Sequence, residues 1–225
     1  MSSLTLTPFL PFLAALAAYL IGSLSFAVIV SRAMGLSDPR TYGSGNPGAT
    51  NVLRSGSKPA AILTLVLDAL KGYVPVALAA RYGHAHGLGE GTVALVALAA
   101  FLGHLFPVYF RFRGGKGVAT AGGTLFGIDP LLGAATVATW IIIAAFFRYS
   151  SLASIVAAVF APFWQLLTDG AGPIAFALIA MGLLLLWRHE ANVKRLFAGT
   201  ENRLGRKAAA AGATPTRKGR HAARR

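Results

Sequence analysis

The sequence predicts an all-α, polytopic membrane protein, a bundle of about seven transmembrane helices in which the fourth is short. The 225-residue chain is 55% hydrophobic and only 12% charged, about half the charged share of a soluble domain. Its mean hydropathy is +0.62. The apolar residues fall into runs that approach the roughly 20 residues needed to cross a bilayer. The cations lie mainly in polar segments between these runs.

Seven apolar runs are expected to form the membrane helices. They occupy residues 8–30, 59–79, 92–110, 118–127, 131–147, 152–167 and 174–187. The fourth run is too short to cross alone unless the membrane is thinned or the helix begins earlier, and Asp129-Pro130 ends it. Seven crossings with a short fourth fit this pattern. Five crossings with a re-entrant hairpin fit it equally well.

The loop charges predict the orientation of the bundle. If the N-terminus lies outside, 19 of the 21 lysines and arginines lie on the cytoplasmic side, as the positive-inside rule requires. Arg81 is left outside and Lys71 lies within a span. The three segments richest in glycine and polar residues then all fall on the cytoplasmic face.

The C-terminal residues are expected to form a separate, disordered tail. Eight of the 21 cations lie in residues 203–225, a stretch rich in Ala, Gly, Pro and Thr and without aromatic residues. We therefore divide the chain into a membrane domain, 1–205, and a basic cytoplasmic tail, 206–225, that lies against anionic lipid headgroups. Because the positive charge follows the membrane topology and the tail, the net charge of +14 does not indicate a nucleic-acid partner.

The most unusual polar segment is the glycine-rich stretch Phe112–Thr120, which reads FRGGKGVAT. Its glycines let backbone N–H groups converge on an anion, and Arg113 and Lys116 add positive charge. A helix is expected to begin at Val118, and a glycine-rich turn before a helix N-terminus favours phosphate binding. The alternative is an ordinary cytoplasmic loop whose cations only reflect topology.

Two further polar segments carry hydrogen-bonding side chains. They supply Ser44, Asn46 and Arg54 before the second run, and His189, Asn192 and Glu201 after the last. Arginine and lysine suit phosphate, while serine and asparagine suit hydroxyl or carbonyl oxygens. Carboxylates are too scarce near these groups to hold Mg²⁺, so we expect neither a metal nor a cofactor. Together the three segments favour the binding of a small phosphorylated polyol at a membrane surface.

The three polar segments resemble, in order, the three signature motifs of one family. They read SGNPGATN with Arg54 ten residues after Ser44, then GHLFPVYFRFRGGKGVAT, then RHEANVKRLFAGTENR. They are similar to those of the bacterial membrane acyl-phosphate:glycerol-3-phosphate acyltransferases, the PlsY family. The resemblance extends to LDALKG in the second run and excludes the tail beyond Arg206. Arg113 stands where the family more often has lysine, which keeps the charge.

The resemblance implies transfer of a fatty acyl group from acyl phosphate to the 1-hydroxyl of sn-glycerol 3-phosphate. The products would be lysophosphatidic acid and phosphate, in the first acylation step of bacterial phospholipid synthesis at the inner membrane. It also implies a functional link with the enzyme that makes acyl phosphate. The residues agree chemically, because acyl phosphate is already activated and needs no enzyme nucleophile. The chain has no Gly-x-Ser-x-Gly elbow, the strand–turn–helix motif of serine hydrolases.

Carried onto this sequence, the family motifs imply a role for each polar residue. Acyl phosphate is expected at Arg113, Gly114, Gly115, Lys116, Gly117 and Thr120, and glycerol 3-phosphate at Ser44, Asn46, Arg54, His189 and Asn192. Catalysis is expected to involve His189, Asn192, Ser44 and Lys116. The base is either His189 or a phosphate oxygen of the substrate, and we favour the substrate.

Four residues are expected to have structural roles. Asp68 and Lys71, three apart on one helix, are predicted to form a buried pair. His104 is expected to brace the glycine-rich stretch. Glu201 is expected to fold the third motif by pairing with Arg188 or Arg195.

Two other function classes fit the sequence less well than an acyltransferase. An organophosphate transporter would suit clustered basic loops, but transporters place polar groups near the midplane, often in inverted repeats, and this chain shows no repeat. A CDP-alcohol phosphotransferase would need several metal-binding aspartates, which the sequence lacks.

Overall fold

A computed structural model describes residues 7–205, and these residues form an all-helical bundle. The α-helices in this part of the chain are α1 Leu10–Gly22, α2 Phe26–Ala33, α3 Ala49–Val52, α4 Lys58–Tyr82, α5 Glu90–Leu105, α6 Val118–Ile128, α7 Pro130–Phe147, α8 Ser150–Thr168, α9 Pro173–Arg188 and α10 Glu190–Phe197. Short 3₁₀ turns cover Thr7–Phe9, Leu53–Ser55, Gly83–His86 and Val108–Phe110. The predicted tail, 206–225, lies outside the described residues.

Four segments are long and apolar enough to cross a membrane by length and composition, and they contain α4, α5, α7 and α8. The pairs α1–α2 and α9–α10 are bent by 40° and 58°, and the described residues hold up to six spans if each pair counts as one. Helix α6 is apolar but has only 11 residues, as the short fourth run predicts. The prediction of an all-helical membrane protein is confirmed, with four to six candidate spans.

Proline and short polar side chains set the helix boundaries. Ser57 Oγ accepts a hydrogen bond from the Ala60 N–H (3.3 Å) and begins α4. Asp129 Oδ1 accepts one from the Leu132 N–H (2.7 Å) and begins α7, with Pro130 in its first turn. Such N-caps satisfy backbone donors that the helix itself leaves free. The predicted break at Asp129-Pro130 is confirmed.

Glycines let α6 pack directly against α4. A Cβ added to Gly123 would overlap the Ala69 carbonyl oxygen, and one added to Gly72 would overlap that of Thr120. Small residues at such crossings let helix backbones approach closely in membranes. Because the glycine-rich stretch runs straight into α6, this crossing also fixes where that stretch lies.

A buried polar cluster joins four elements at the same level of the bundle. Lys71 Nζ lies 2.8 Å from Asp68 Oδ1 and donates to the Leu24 carbonyl (2.6 Å), in the break between α1 and α2. His104 Nδ1 on α5 lies 3.7 Å from Asp68 Oδ1 and 3.1 Å from Thr120 Oγ1 on α6. These contacts favour the structural roles expected for Asp68, Lys71 and His104.

The crossing of α4 and α6 provides a matched pair of variants. Gly123→Ala would push the two backbones apart, and we expect it to destabilise the protein by about 1–3 kcal/mol. Gly122→Ala, one residue away, meets nothing within 4 Å and is expected to stabilise slightly because alanine favours helix. Thermal unfolding in detergent measures both. Equal melting temperatures for the two variants would contradict the close packing.

Candidate active site

The three polar segments meet at one end of the bundle. The Pro47 carbonyl oxygen of the first segment lies within 3.0 Å of where a Cβ on Gly115 would stand. Lys116 Nζ, in the glycine-rich stretch, donates a hydrogen bond to Asn192 Oδ1 in the third. The tertiary structure therefore brings together residues that lie 68 and 76 positions apart in the chain.

A buried asparagine organises the first segment. Asn51 Oδ1 accepts the Ser44 N–H at 3.0 Å, and its Nδ2 donates to the carbonyls of Pro39 at 2.6 Å and Tyr42 at 3.2 Å. Asn51 is only 2% exposed, so these bonds are protected from water. The sequence places Asn51 in the motif, but its role as the centre of the loop emerges only from the structure.

The residues expected to hold glycerol 3-phosphate in this loop remain accessible. Ser44 and Arg54 are exposed, and Asn46 is half-buried. The Arg54 side chain packs over Gly43, whose left-handed φ of 60° is a conformation that glycine adopts readily. A Cβ at Gly43 would lie within 3.2 Å of Arg54 Cδ. The same Cβ would overlap Asn51 Oδ1, so the glycine leaves room first for Asn51 and then for Arg54.

The glycine-rich stretch is built against α5. A Cβ on Gly114 would overlap the carbonyls of His104 and Leu105, and one on Gly115 would overlap the His104 ring. Gly117 takes a left-handed φ of 84° immediately before α6. The glycines are needed for close backbone packing as well as for conformational freedom.

Two of the five backbone N–H groups expected to face an anion are already used. The Arg113 N–H donates to the Phe110 carbonyl at 3.1 Å, and the Gly115 N–H donates to the His104 carbonyl at 3.2 Å. The N–H groups of Gly114, Lys116 and Gly117 have no acceptor within residues 7–205. Three of the five N–H groups are therefore available to an anion among the described residues, and the binding of acyl phosphate there stays a prediction.

Thr120 is the last residue of this stretch. Its side chain is fully buried, and its hydroxyl is hydrogen-bonded to His104. Thr120 lies one turn into α6, on the face that packs against α4 and α5. Its side chain therefore takes part in the helix packing, and a contact between Thr120 and the substrate stays a prediction.

Arg188 holds the glycine-rich stretch from the other side. Its Nε donates to the Gly115 carbonyl at 3.1 Å and its Nη2 to the Gly114 carbonyl at 2.8 Å. Sequence reasoning offered Arg188 only as a partner for Glu201. No sequence signal identifies the observed contact, because its acceptors are backbone carbonyls more than 70 residues away.

A chain of polar contacts connects the lysine of the stretch to the third segment. Asn192 accepts from Lys116 and donates through Nδ2 to Glu201 Oε1 at 2.6 Å. Glu201 also accepts from Ser151 Oγ at 2.8 Å and from Arg195 Nε at 2.7 Å. Of the two partners expected for Glu201, the structure selects Arg195.

The segment that carries Glu201 is fastened to the turn between α7 and α8. The Leu204 N–H donates to the Arg148 carbonyl at 2.6 Å, and Arg148 Nη2 donates to the Leu204 carbonyl at 3.1 Å. Arg203 Nε donates to the Tyr149 hydroxyl at 3.0 Å. These contacts hold the chain after α10 across the end of the bundle, which places Glu201 beside Asn192.

Burial and neighbouring cations shift the titration of Lys116. Burial is the main cause, with contributions from Arg195, Arg188 and Arg54, and the pKa of Lys116 falls to about 8 although Glu201 opposes the shift. Lys116 is therefore still mainly protonated at neutral pH. The contribution of Arg54 also places the first segment within electrostatic reach of the lysine.

His189 is buried where α9 ends and α10 begins. Its Nδ1 lies 2.8 Å from the Leu185 carbonyl oxygen, so Nδ1 carries the proton and Nε2 is left as an acceptor. Burial first and Lys116 second lower its pKa to about 4. The imidazole is thus neutral at physiological pH and a weak base.

Comparisons with known proteins identify the family of this chain. Residues 12–199 match the family model described as glycerol-3-phosphate acyltransferase. The glycerol-3-phosphate acyltransferase of Cupriavidus taiwanensis is 64% identical over 193 residues, covering 86% of this chain and 96% of its own. That of Burkholderia multivorans is 63% identical over 201 residues, covering 88% and 93%.

Two solved structures also match. Both are crystal structures of PlsY (YgiH), described as an integral membrane glycerol 3-phosphate acyltransferase, in a glycerol 3-phosphate form and a lysophosphatidic acid form. The first is 37% identical with a TM-score of 0.81 and covers 87% of this chain and 96% of its own. The second is 36% identical with a TM-score of 0.79 and covers 87% and 95%. With its sequence and fold matched over most of its length, this chain belongs to the glycerol-3-phosphate acyltransferase family of integral membrane proteins, the PlsY family.

Proposed function

We propose that this glycerol-3-phosphate acyltransferase takes its acyl group from acyl phosphate and forms lysophosphatidic acid at the site described above. The proposal rests on the contact of Lys116 with Asn192. This contact joins the cationic glycine-rich stretch to α10, and Asn192 is in turn hydrogen-bonded to the carboxylate of Glu201. Because the chain belongs to an acyltransferase family, the acyltransferase function is preferred over the transporter alternative. The donor, the residue roles and the orientation of the site form the proposal.

The reaction is a direct displacement at the acyl carbonyl. The 1-hydroxyl oxygen of glycerol 3-phosphate forms a bond to the carbonyl carbon, and the bond from that carbon to the phosphate oxygen breaks. The phosphate leaves with the electron pair, and the hydroxyl proton passes to a base. An acyl–enzyme intermediate is unnecessary because the mixed anhydride already has a good leaving group.

The donor phosphate is placed at the glycine-rich stretch. Lys116 Nζ and the free N–H groups of Gly114, Lys116 and Gly117 would stabilise the negative charge that develops as phosphate leaves. Arg188 fixes the Gly115 carbonyl. Because the C=O and N–H of a trans peptide point in opposite directions, this contact also fixes the direction of the Lys116 N–H.

The acceptor is placed between the first and third segments. Arg54 would hold the phosphate of glycerol 3-phosphate as a bidentate fork, with Ser44 and Asn46 at its hydroxyl groups. His189 Nε2 would accept a hydrogen bond from a hydroxyl, and Asn192 would fix its orientation relative to Lys116. The glycerol 3-phosphate and lysophosphatidic acid forms of the related PlsY structures support this choice of acceptor and product.

A phosphate oxygen of the substrate is the better base. With a pKa of about 4, His189 is a poor match for accepting a proton near pH 7. A phosphate monoester has its second pKa near 6. Burial therefore favours His189 as a hydrogen-bond acceptor that positions the hydroxyl.

The proposed topology has seven crossings, with α6 as the short fourth, and the N-terminus outside. The loop charges support it, since it leaves 19 of the 21 lysines and arginines on the cytoplasmic side. The site then opens to the cytoplasm, where glycerol 3-phosphate is soluble. It also lies beside the bilayer, which holds the acyl chain of the donor and that of the product.

The donor is tested with purified protein, radiolabelled glycerol 3-phosphate and three donors supplied separately: acyl phosphate, acyl-CoA and acyl carrier protein. We expect lysophosphatidic acid only with acyl phosphate and without added metal. Lys116→Met removes the ammonium and is expected to abolish most of that product. Product from acyl-CoA and none from acyl phosphate would reject the proposed donor.

His189→Gln separates a base from a positioning group. Loss of one hydrogen bond is expected to raise the KM for glycerol 3-phosphate about 3- to 10-fold with a smaller fall in kcat. Loss of a general base would instead lower kcat by about 10²–10⁴. Steady-state kinetics measure both constants. A fall of kcat in the larger range with unchanged KM would assign the base to His189.

The pH profile tests Lys116. A lysine with its pKa lowered to about 8 is charged below that pH, so kcat/KM should decrease as the pH rises through about 8. Lys116→Arg keeps the charge and should move this decline to higher pH in whatever activity remains. Lys194→Arg, an exposed lysine paired with Glu190, is the control and should leave the profile unchanged. An identical decline in Lys116→Arg would remove Lys116 as its cause.

A further inference from the structure

A cationic cleft lies beside the proposed reaction site. It has a volume of about 840 Å³ and is lined by Asp38, Arg40, Thr41, Gly45, Pro47, Tyr109, Phe110, Arg111, Arg113 and Gly114. Lys116, His189 and Asn192 do not line it. The cleft therefore lies between the first polar segment and the turn that precedes the glycine-rich stretch. It lies away from the contact between Lys116 and Asn192.

The charge of this cleft is unbalanced. It contains three guanidinium groups and one carboxylate, and that carboxylate is used by Arg40. Arg40 Nη2 lies 2.6 Å from Asp38 Oδ2, and its Nε lies 3.0 Å from Oδ1. Arg111 and Arg113 have no hydrogen-bonding or ionic partner within residues 7–205. The cleft thus presents two unpaired guanidinium groups beside a paired one, which suits an anion.

The backbone that presents these arginines is held in an unusual conformation. Arg111 and Phe112 both have left-handed φ values, 54° and 59°, which cost energy for residues other than glycine. The Phe112 N–H donates to the Pro107 carbonyl at 3.0 Å and so closes this turn. The strain is maintained by a defined turn, and its result is to place Arg111 and Arg113 on the cleft wall.

The apolar side chains next to the arginines indicate what kind of anion the cleft takes. Val108, Tyr109 and Phe112 are 39%, 55% and 59% exposed, and Tyr109 lines the cleft itself. Arg40 lies 5.9 Å from the centre of the Phe110 ring. Aromatic residues alternating with cations are typical of the interface between headgroups and acyl chains. A soluble anion would have no use for this apolar flank.

We propose that the cleft binds the phosphate of an anionic phospholipid, with the lipid chains along Val108, Tyr109 and Phe112. The site adjoins the one that transfers the acyl group and shares Arg113 and Gly114 with it, but its lining does not include Lys116, His189 or Asn192. Its occupant would fasten the turn before the glycine-rich stretch to the membrane surface. Arg111 binds the phosphate, and Arg40, held by Asp38, completes the cationic wall.

The test is a titration of dioctanoyl phosphatidylglycerol into the protein in neutral detergent, with glycerol 3-phosphate at saturation to occupy the acceptor site. Arg111→Asn removes the charge and keeps a residue that tolerates the left-handed turn. We expect it to weaken the lipid affinity about tenfold, the equivalent of one charged hydrogen bond. Arg32→Gln, an exposed arginine outside the cleft, is the matched control and should bind as the wild type does.

Two further arms identify the source of the phosphate. Dioctanoyl phosphatidylcholine, which is neutral overall, should bind more weakly than phosphatidylglycerol, and inorganic phosphate at millimolar concentration should not displace the lipid. The melting temperature of each variant is measured, so that a loss of folding is not mistaken for a loss of lipid binding. If Arg111→Asn is unstable, Arg111→Gly is used in its place.

Three results would overturn the proposal. The first is equal weakening by Arg32→Gln, which would indicate diffuse surface charge. The second is undiminished binding by a folded Arg111 variant. The third is displacement of the lipid by inorganic phosphate, which would indicate a site for a soluble anion. None of these results depends on which acyl donor the enzyme uses, so the two proposals stand or fall separately.

Discussion

The buried contact between Asp68 and Lys71 is the interaction on which the rest of the structure depends. Two opposite charges inside a membrane protein are tolerated only when they are paired with each other and with further polar groups. Here the further partners are the Leu24 carbonyl in the break between α1 and α2 and the His104 imidazole on α5. One pair therefore fixes the relative positions of α1, α2, α4 and α5.

The same cluster determines where the glycine-rich stretch lies. His104 is hydrogen-bonded to Thr120 on α6, and its backbone carbonyl accepts the Gly115 N–H. The stretch is therefore supported by His104 at Gly115, in its middle, and at Thr120, its last residue. Arg188 adds the opposing contact from α9. A loop of small residues acquires a fixed shape because its carbonyl and N–H groups are held from both sides.

Charge balance explains why a single carboxylate matters so much at this site. Arg188 and Arg195 lie close enough to lower the pKa of Lys116, and Glu201 is the acidic group that opposes this shift. Burial opposes ionisation of Glu201, but hydrogen bonds from Asn192, Ser151 and Arg195 outweigh it and keep its pKa below the ordinary value. Glu201 thus stabilises the cation cluster without neutralising it, and the remaining positive charge is available to phosphate.

The sequence by itself determined the helical membrane class, the seven apolar runs, the three polar segments and the family. Those features depend on local composition and spacing, and Asp129-Pro130 and the short α6 were predictable for that reason. The tertiary structure alone decided which groups remain free to bind. The Thr120 side chain packs between helices, and the N–H groups of Arg113 and Gly115 donate to backbone carbonyls. Arg188 also donates to backbone carbonyls and not to Glu201. These outcomes depend on backbone groups brought together from distant segments, and backbone N–H and carbonyl groups are the same in every residue type, so sequence pattern carries no record of their partners.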